Sequence, residues 1–120
     1  MTETLIDDIE DFSYVSYAVM SVLSIKGKAL SKSAIMRECI ERYGDLIEHG
    51  PYLYGEYSDD VDESIGILLS DGILQRQTPH GVPISLTEYG KQLFDAFMHT
   101  PIEDEDLIAI KEAILDEVWA

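Results

Sequence analysis

Residues 57–97, YSDDVDESIGILLSDGILQRQTPHGVPISLTEYGKQLFDAF, switch their apolar period twice, and that double switch restricts the fold more than any other stretch. Val61, Ile65, Leu68 and Leu69 recur at helical spacing, with Ser58 ahead of them as N-cap and Gly72 behind them as a stop. Two short runs, 73–78 and 82–87, then flank Pro79-His80-Gly81, a turn sequence that predicts a β-hairpin. Thr87 caps a further helix, with Leu93, Phe94 and Phe97 on its inner face. A two-stranded hairpin is marginal alone, so it must pack on helices from elsewhere in the chain.

Those helices are legible upstream. Val15, Ala18, Val19, Val22 and Leu23 predict a helix over 13–25, opened by Ser13 and broken at Gly27. Ile35, Met36, Cys39, Ile40 and Tyr43 predict a second, starting at Ser31 or Ser33 and stopped by Gly44, with Leu30 as the apolar residue before its cap. The connection GDLIEHGPYLYGEY reads as a Gly- and Tyr-rich loop with room for one helical turn. Thr100-Pro101-Ile102-Glu103 has the form of a capping box with proline at the first helical position, opening a fifth helix. The expected fold is mostly α with a small β-hairpin wing: a winged helix-turn-helix with an added C-terminal helix. The chain divides into an acidic arm (1–12), a winged-helix domain (13–99) and a C-terminal helix (100–120).

Two stretches carry family resemblances. ISLTEYGKQLF resembles the closing strand and helix of many prokaryotic winged-helix regulators, where an LTE-x-G-x-x-L pattern recurs; this speaks to fold and hardly to function. YLYGEYSDDVDESIGILLSDGIL resembles the Y-x-Y-G-P-Y-S-x-x-L stretch of small winged-helix proteins of the YwgA-like and phage-associated (SocA-like antitoxin) groups. Tyr52, Tyr54, Gly55, Tyr57 and Ser58 match that pattern, while Glu56 stands in place of its proline and Val61 of its leucine. The resemblance spans residues 50–95 and implies a regulatory or partner-binding module with no active site.

The charge pattern bears on partners. The chain has 8 basic and 24 acidic residues, for a net charge of -16. Residues 1–12 hold five acids and no base, and residues 100–120 hold seven acids and one lysine, so both ends are far more acidic than the middle. The helix expected to read DNA carries Asp59, Asp60, Asp62 and Glu63, and no Lys or Arg lies between Arg42 and Arg76. Acids in a first turn are also what a helix dipole favours, and a salt-accumulating host would raise acidity throughout, although the many isoleucines speak against the latter. Against DNA phosphates such a helix is repulsive, so duplex binding is expected to be no tighter than roughly micromolar at about 150 mM salt.

Catalytic chemistry finds little support. His49, His80 and His99 do not pair at the i+3 or i+4 spacing of a helical metal site, and Cys39 falls inside an apolar stripe, where it reads as a packed thiol. The acidic pairs sit at helix starts, and no phosphate loop, nucleophile elbow or calcium loop is present. The reading is non-enzymatic, with no catalytic residue, metal or cofactor. One cysteine, no run of 18 apolar residues and no basic-then-apolar leader in MTETLIDDIEDF predict a cytoplasmic protein that does not enter a membrane.

Three surfaces remain as candidates. Tyr52, Tyr54 and Tyr57 with Asp59 and Asp60 form a candidate partner-binding surface, since clustered tyrosines are enriched at interfaces. Residues 26–42 hold five bases against two acids; Lys26, Lys28, Lys32 and Arg37 there, with Arg76 on the wing, are candidate DNA-backbone contacts. Leu107, Ile110, Ile114, Leu115, Val118 and Trp119 make the last helix apolar over a broad arc, which either the domain core or a second copy must cover. Covering by a second copy is the expectation, with the last helix as the seam of a homodimer. The function expected is regulatory, acting through contacts with a protein partner. The alternatives are a DNA-binding transcription regulator, salt-adapted or gripping by its basic patch and wing, and an acidic mimic of nucleic acid.

Overall fold

The computed structural model describes residues 9–52, 55–77 and 83–119. In chain order the elements are α1 (Tyr14–Lys26), α2 (Lys32–Tyr43), β1 (Gly50–Tyr52), β2 (Gly55–Tyr57), α3 (Asp59–Ser70), β3 (Leu74–Arg76), β4 (Ile84–Leu86), α4 (Glu88–His99) and α5 (Glu105–Trp119).

α1 is the centre of the domain because it is buried on every side. All residues from Val15 to Leu23 are buried, and the helix contacts α2, α3, α4, α5 and β4. Ser13 caps it by accepting the Ser16 amide, and Gly27 ends it at φ 64°, where a side chain would be strained. Its polar residues are satisfied. Tyr17 donates to the Ile9 carbonyl at 2.6 Å, and Ser21 donates to the Ala18 carbonyl. That leaves the Tyr43 hydroxyl to donate to Ser21, at 2.8 Å. Tyr17 also stacks on Phe97 of α4, with ring centroids 3.8 Å apart.

α2 buries Ile35, Met36, Cys39, Ile40 and Tyr43, the stripe its spacing predicts, and is capped by Ser31. The thiol of Cys39 is pushed up to about 12 by burial, which leaves it protonated and inert. Gly44 stops the helix in right-handed backbone, so its role is spatial: a Cβ there would sit 2.5 Å from the Ile40 carbonyl oxygen. The connection to α3 differs from the loop expected. Gly50, Pro51 and Tyr52 pair antiparallel with Tyr57, Glu56 and Gly55, forming a second hairpin. Strands this short show no alternation, and Gly and Pro disguise them as loop; Pro51 is tolerated because a two-stranded ribbon has only edges.

α3 begins at the Ser58 cap, buries Val61, Ser64, Ile65 and Leu68, and is closed by Gly72 at φ 76°. β3 and β4 pair with Leu74 opposite Leu86, Gln75 opposite Ser85 and Arg76 opposite Ile84. The wing gains a third member that the sequence does not announce: Leu30 bridges Ile84 through two backbone bonds of 2.9 and 2.7 Å. Leu30 therefore acts as a sheet residue as well as the apolar residue before the α2 cap. The turn at 79–81 lies outside the described residues. Thr87 fastens α4 to the sheet, donating to the Gly72 carbonyl at 2.6 Å and accepting the Gly90 amide. Gly90 is required there, since a Cβ would overlap the Ile73 carbonyl oxygen.

α5 corrects two expectations. It starts at Glu105 and not at Pro101, because Asp104 caps it by accepting the Leu107 amide at 3.0 Å, and aspartate is a stronger N-cap than threonine. Leu107, Ile110 and Ile114 are 4%, 0% and 1% exposed, so these members of the expected dimer seam belong to the chain's own core. The cause is α1, whose largely apolar surface needs a cover on the side that α5 occupies. Lys111 fixes the start of α5 by donating to the Thr100 carbonyl at 2.9 Å. Leu115 is 37% exposed. The side chains of Val118 and Trp119 lie outside the described residues. Among the described residues, no helix is long and apolar enough to cross a membrane.

Candidate functional site

The face of α3 turned away from the core is built by subtraction. With Val61, Ser64, Ile65 and Leu68 inward, Asp59, Asp60, Glu63, Gly66, Ile67 and Ser70 are left on the surface. The first half of this stripe is acidic, and the second half is small or apolar, with Ile67 43% exposed. Asp62 is not part of it. The carboxylate is drawn back onto Lys32 at the start of α2, which, despite opposing burial and with help from the Tyr57 hydroxyl, holds it below the ordinary aspartate range. Asp59, Asp60 and Glu63 therefore remain at the start of α3 with no ion pair among the described residues. The field reaches Tyr14, whose phenol is pushed up by burial and then by Asp60, Asp106 and Glu48.

The candidate basic patch is largely spoken for within the chain. Lys26 pairs with Glu38 at 3.0 Å, Lys32 pairs with Asp62, and Arg42 bridges Glu38 at 3.1 Å and Glu117 of α5 at 2.8 Å. Arg37 is exposed on α2 and makes no ion pair among the described residues, while Arg76 is exposed on β3. Lys28 lies apart from α3, in a cleft beside the wing. Of the tyrosine cluster, Tyr57 is half-buried against the core and tied to Asp62. Tyr54 and the Tyr52 side chain lie outside the described residues.

Glu38 sets a pH dependence. Lys26 hydrogen-bonding outweighs burial and, with Arg42, holds this carboxylate below its ordinary value. Because the folded value is depressed, its contribution is complete above the unfolded value of about 4.3 and is lost as pH falls through the folded one. Glu38→Gln is expected to lower stability at pH 7 by about 1 kcal/mol or less. The gap to the wild type should narrow as pH falls below the unfolded value, as read by urea melts at pH 7 and at acid pH; an equal gap at both would contradict the assignment.

No protein-family model and no curated protein matches the sequence. The fold is similar to that of a solved structure, a transcriptional regulator of the MarR family from Silicibacter pomeroyi, with a TM-score of 0.55 and 15% sequence identity. The likeness covers 98% of this chain and 66% of that one, so this chain spans just under two thirds of that regulator's length. At that identity the likeness concerns the fold: the chain is a mostly helical winged helix with a small antiparallel wing.

Proposed function

We propose that the chain is a regulator of transcription that meets duplex DNA through its winged-helix face. The observation that carries this reading is the likeness along 98% of the chain to the fold of a transcriptional regulator. In this arrangement α2 crosses the backbone and α3 faces the groove. The charge distribution sets the terms of the contact. Asp59, Asp60 and Glu63 repel phosphates, so the grip comes from cations around them: Arg37 on α2, Arg76 on β3, and Lys32 once phosphate competes with Asp62. Arg37→Ala and Arg76→Ala then weaken binding to all sequences alike.

A second reading, contact with a basic protein partner, is favoured by the same three carboxylates and by the partner-binding groups that the tyrosine-rich segment resembles. One variant separates the two. In Asp59→Asn/Asp60→Asn/Glu63→Gln, duplex affinity measured by anisotropy is expected to rise about tenfold or more at low salt, because three charges facing phosphate are removed. Loss of N-terminal acids costs the helix roughly 0.3–1 kcal/mol each, so a melt must confirm that the variant is folded. Unchanged duplex affinity in a folded variant would take α3 off the DNA and leave the protein-contact reading in first place.

A further inference from the structure

Cations are scarce in this chain, 8 against 24 acids, and most of the described ones are committed. Lys26, Lys32 and Arg42 are in ion pairs, Lys111 is bonded to the Thr100 carbonyl, and Arg76 has a partner of its own. Among the described residues this leaves Lys28, Arg37 and Lys91. Lys28 and Lys91, from the turn after α1 and from α4, line one cleft of about 420 Å³ beside the wing.

The rest of that lining is as selective as its charge. Among the described residues it holds no Asp or Glu, although 24 of the 120 residues are acidic. Gln75 and Gln77 lie two apart along the chain and so share one face of the sheet, with Ser85 opposite Gln75. The Gln77 amide donates to Ser85 Oγ at 2.7 Å, which leaves the Ser85 hydroxyl proton to donate outward. Ser24, at the end of α1, adds another hydroxyl. Two ammonium groups and several neutral donors, with no carboxylate, suit a compact oxyanion of double charge. The volume lies within the range of about 300–1,000 Å³ typical of small-ligand pockets. No residue of α2 or α3 lines the cleft, and Arg76 alternates to the sheet face opposite Gln75, so the occupant lies apart from the two helices and from the wing cation assigned above to DNA.

We propose that this cleft binds a phosphate dianion, either free or carried on a small metabolite, between Lys28 and Lys91. The site stands or falls independently of DNA binding. The test is calorimetric titration of the full chain with inorganic phosphate and with ribose 5-phosphate, at pH 8 and constant ionic strength. The proteins are the wild type, Lys28→Gln, Lys91→Gln and, as a control for general charge, Arg37→Gln. Saturable binding of at least one probe is expected, weakened about tenfold by either cleft substitution, as for loss of one charged hydrogen bond, and unaltered in the control. Tighter ribose 5-phosphate identifies a phosphorylated metabolite as the occupant, and tighter inorganic phosphate identifies the free ion. No saturable heat with either probe, or equal weakening in Arg37→Gln, would overturn the proposal.

Discussion

Ile110→Asp is expected to unfold the chain and not to release a folded monomer. Ile110 is 0% exposed on the α5 face that covers α1. Burying an unpaired charge costs several kcal/mol, against a total stability of about 5–15 kcal/mol for a domain of ordinary size. Leu115→Asp, on the exposed side of the same helix, should change stability by no more than about 0.5 kcal/mol. Circular dichroism and sedimentation on both variants read the difference. A folded, monomeric Ile110→Asp derived from a dimeric wild type would return α5 to the role of a dimer seam.

Phe97→Ala should cost about 3–5 kcal/mol, the range for truncating a buried aromatic. Phe97 is 0% exposed, stacks on Tyr17 at 3.8 Å and contacts the partly buried Phe94 ring at 6.3 Å, so its removal opens a hole where α1, α4 and α5 meet. Tyr17→Phe keeps the stack and removes only the hydroxyl that donates to the Ile9 carbonyl, for about 1 kcal/mol. The ratio of the two, from denaturant midpoints at equal m-value, isolates the ring packing. A Phe97→Ala cost below about 1 kcal/mol would mean that the stack is not part of the core.

The elements that sequence reading found are those with a strong local code. Ser13, Ser58 and Thr87 cap the helices that their positions predict, and Ser31, one of the two serines the sequence offers, caps α2, because a hydroxyl before an apolar stripe acts on amides only three residues away. What was missed depends on partners distant in sequence. Leu30 pairs with Ile84, and nothing near Leu30 marks it as a strand. The hairpin of β1 and β2 is too short to show a period. Asp104 prevailed over Thr100 as the cap of α5 although both have capping side chains. The broad apolar arc of that helix was correctly read as needing a cover, but only the packing shows that α1 supplies it for Leu107, Ile110 and Ile114.

The candidate surfaces were legible as composition and not as geometry. The acids of α3 were visible by eye, yet the withdrawal of Asp62 onto Lys32 requires knowing that the starts of α2 and α3 lie together. The basic run over residues 26–42 suggested one patch; the fold divides it among Glu38, Asp62 and Glu117, two of them distant in sequence, and sends Lys28 to a separate cleft with Lys91.

The central claim, that this winged helix meets duplex DNA through a few cations around an acidic helix, is tested most directly by anisotropy of the wild-type chain on genomic fragments from its source, across a salt series. The account predicts saturable, fragment-selective binding near micromolar at about 150 mM salt. Binding should tighten as salt is lowered, with a log–log slope of roughly −2 to −3 for two or three phosphates contacted. No saturable binding at about 50 mM salt would contradict it.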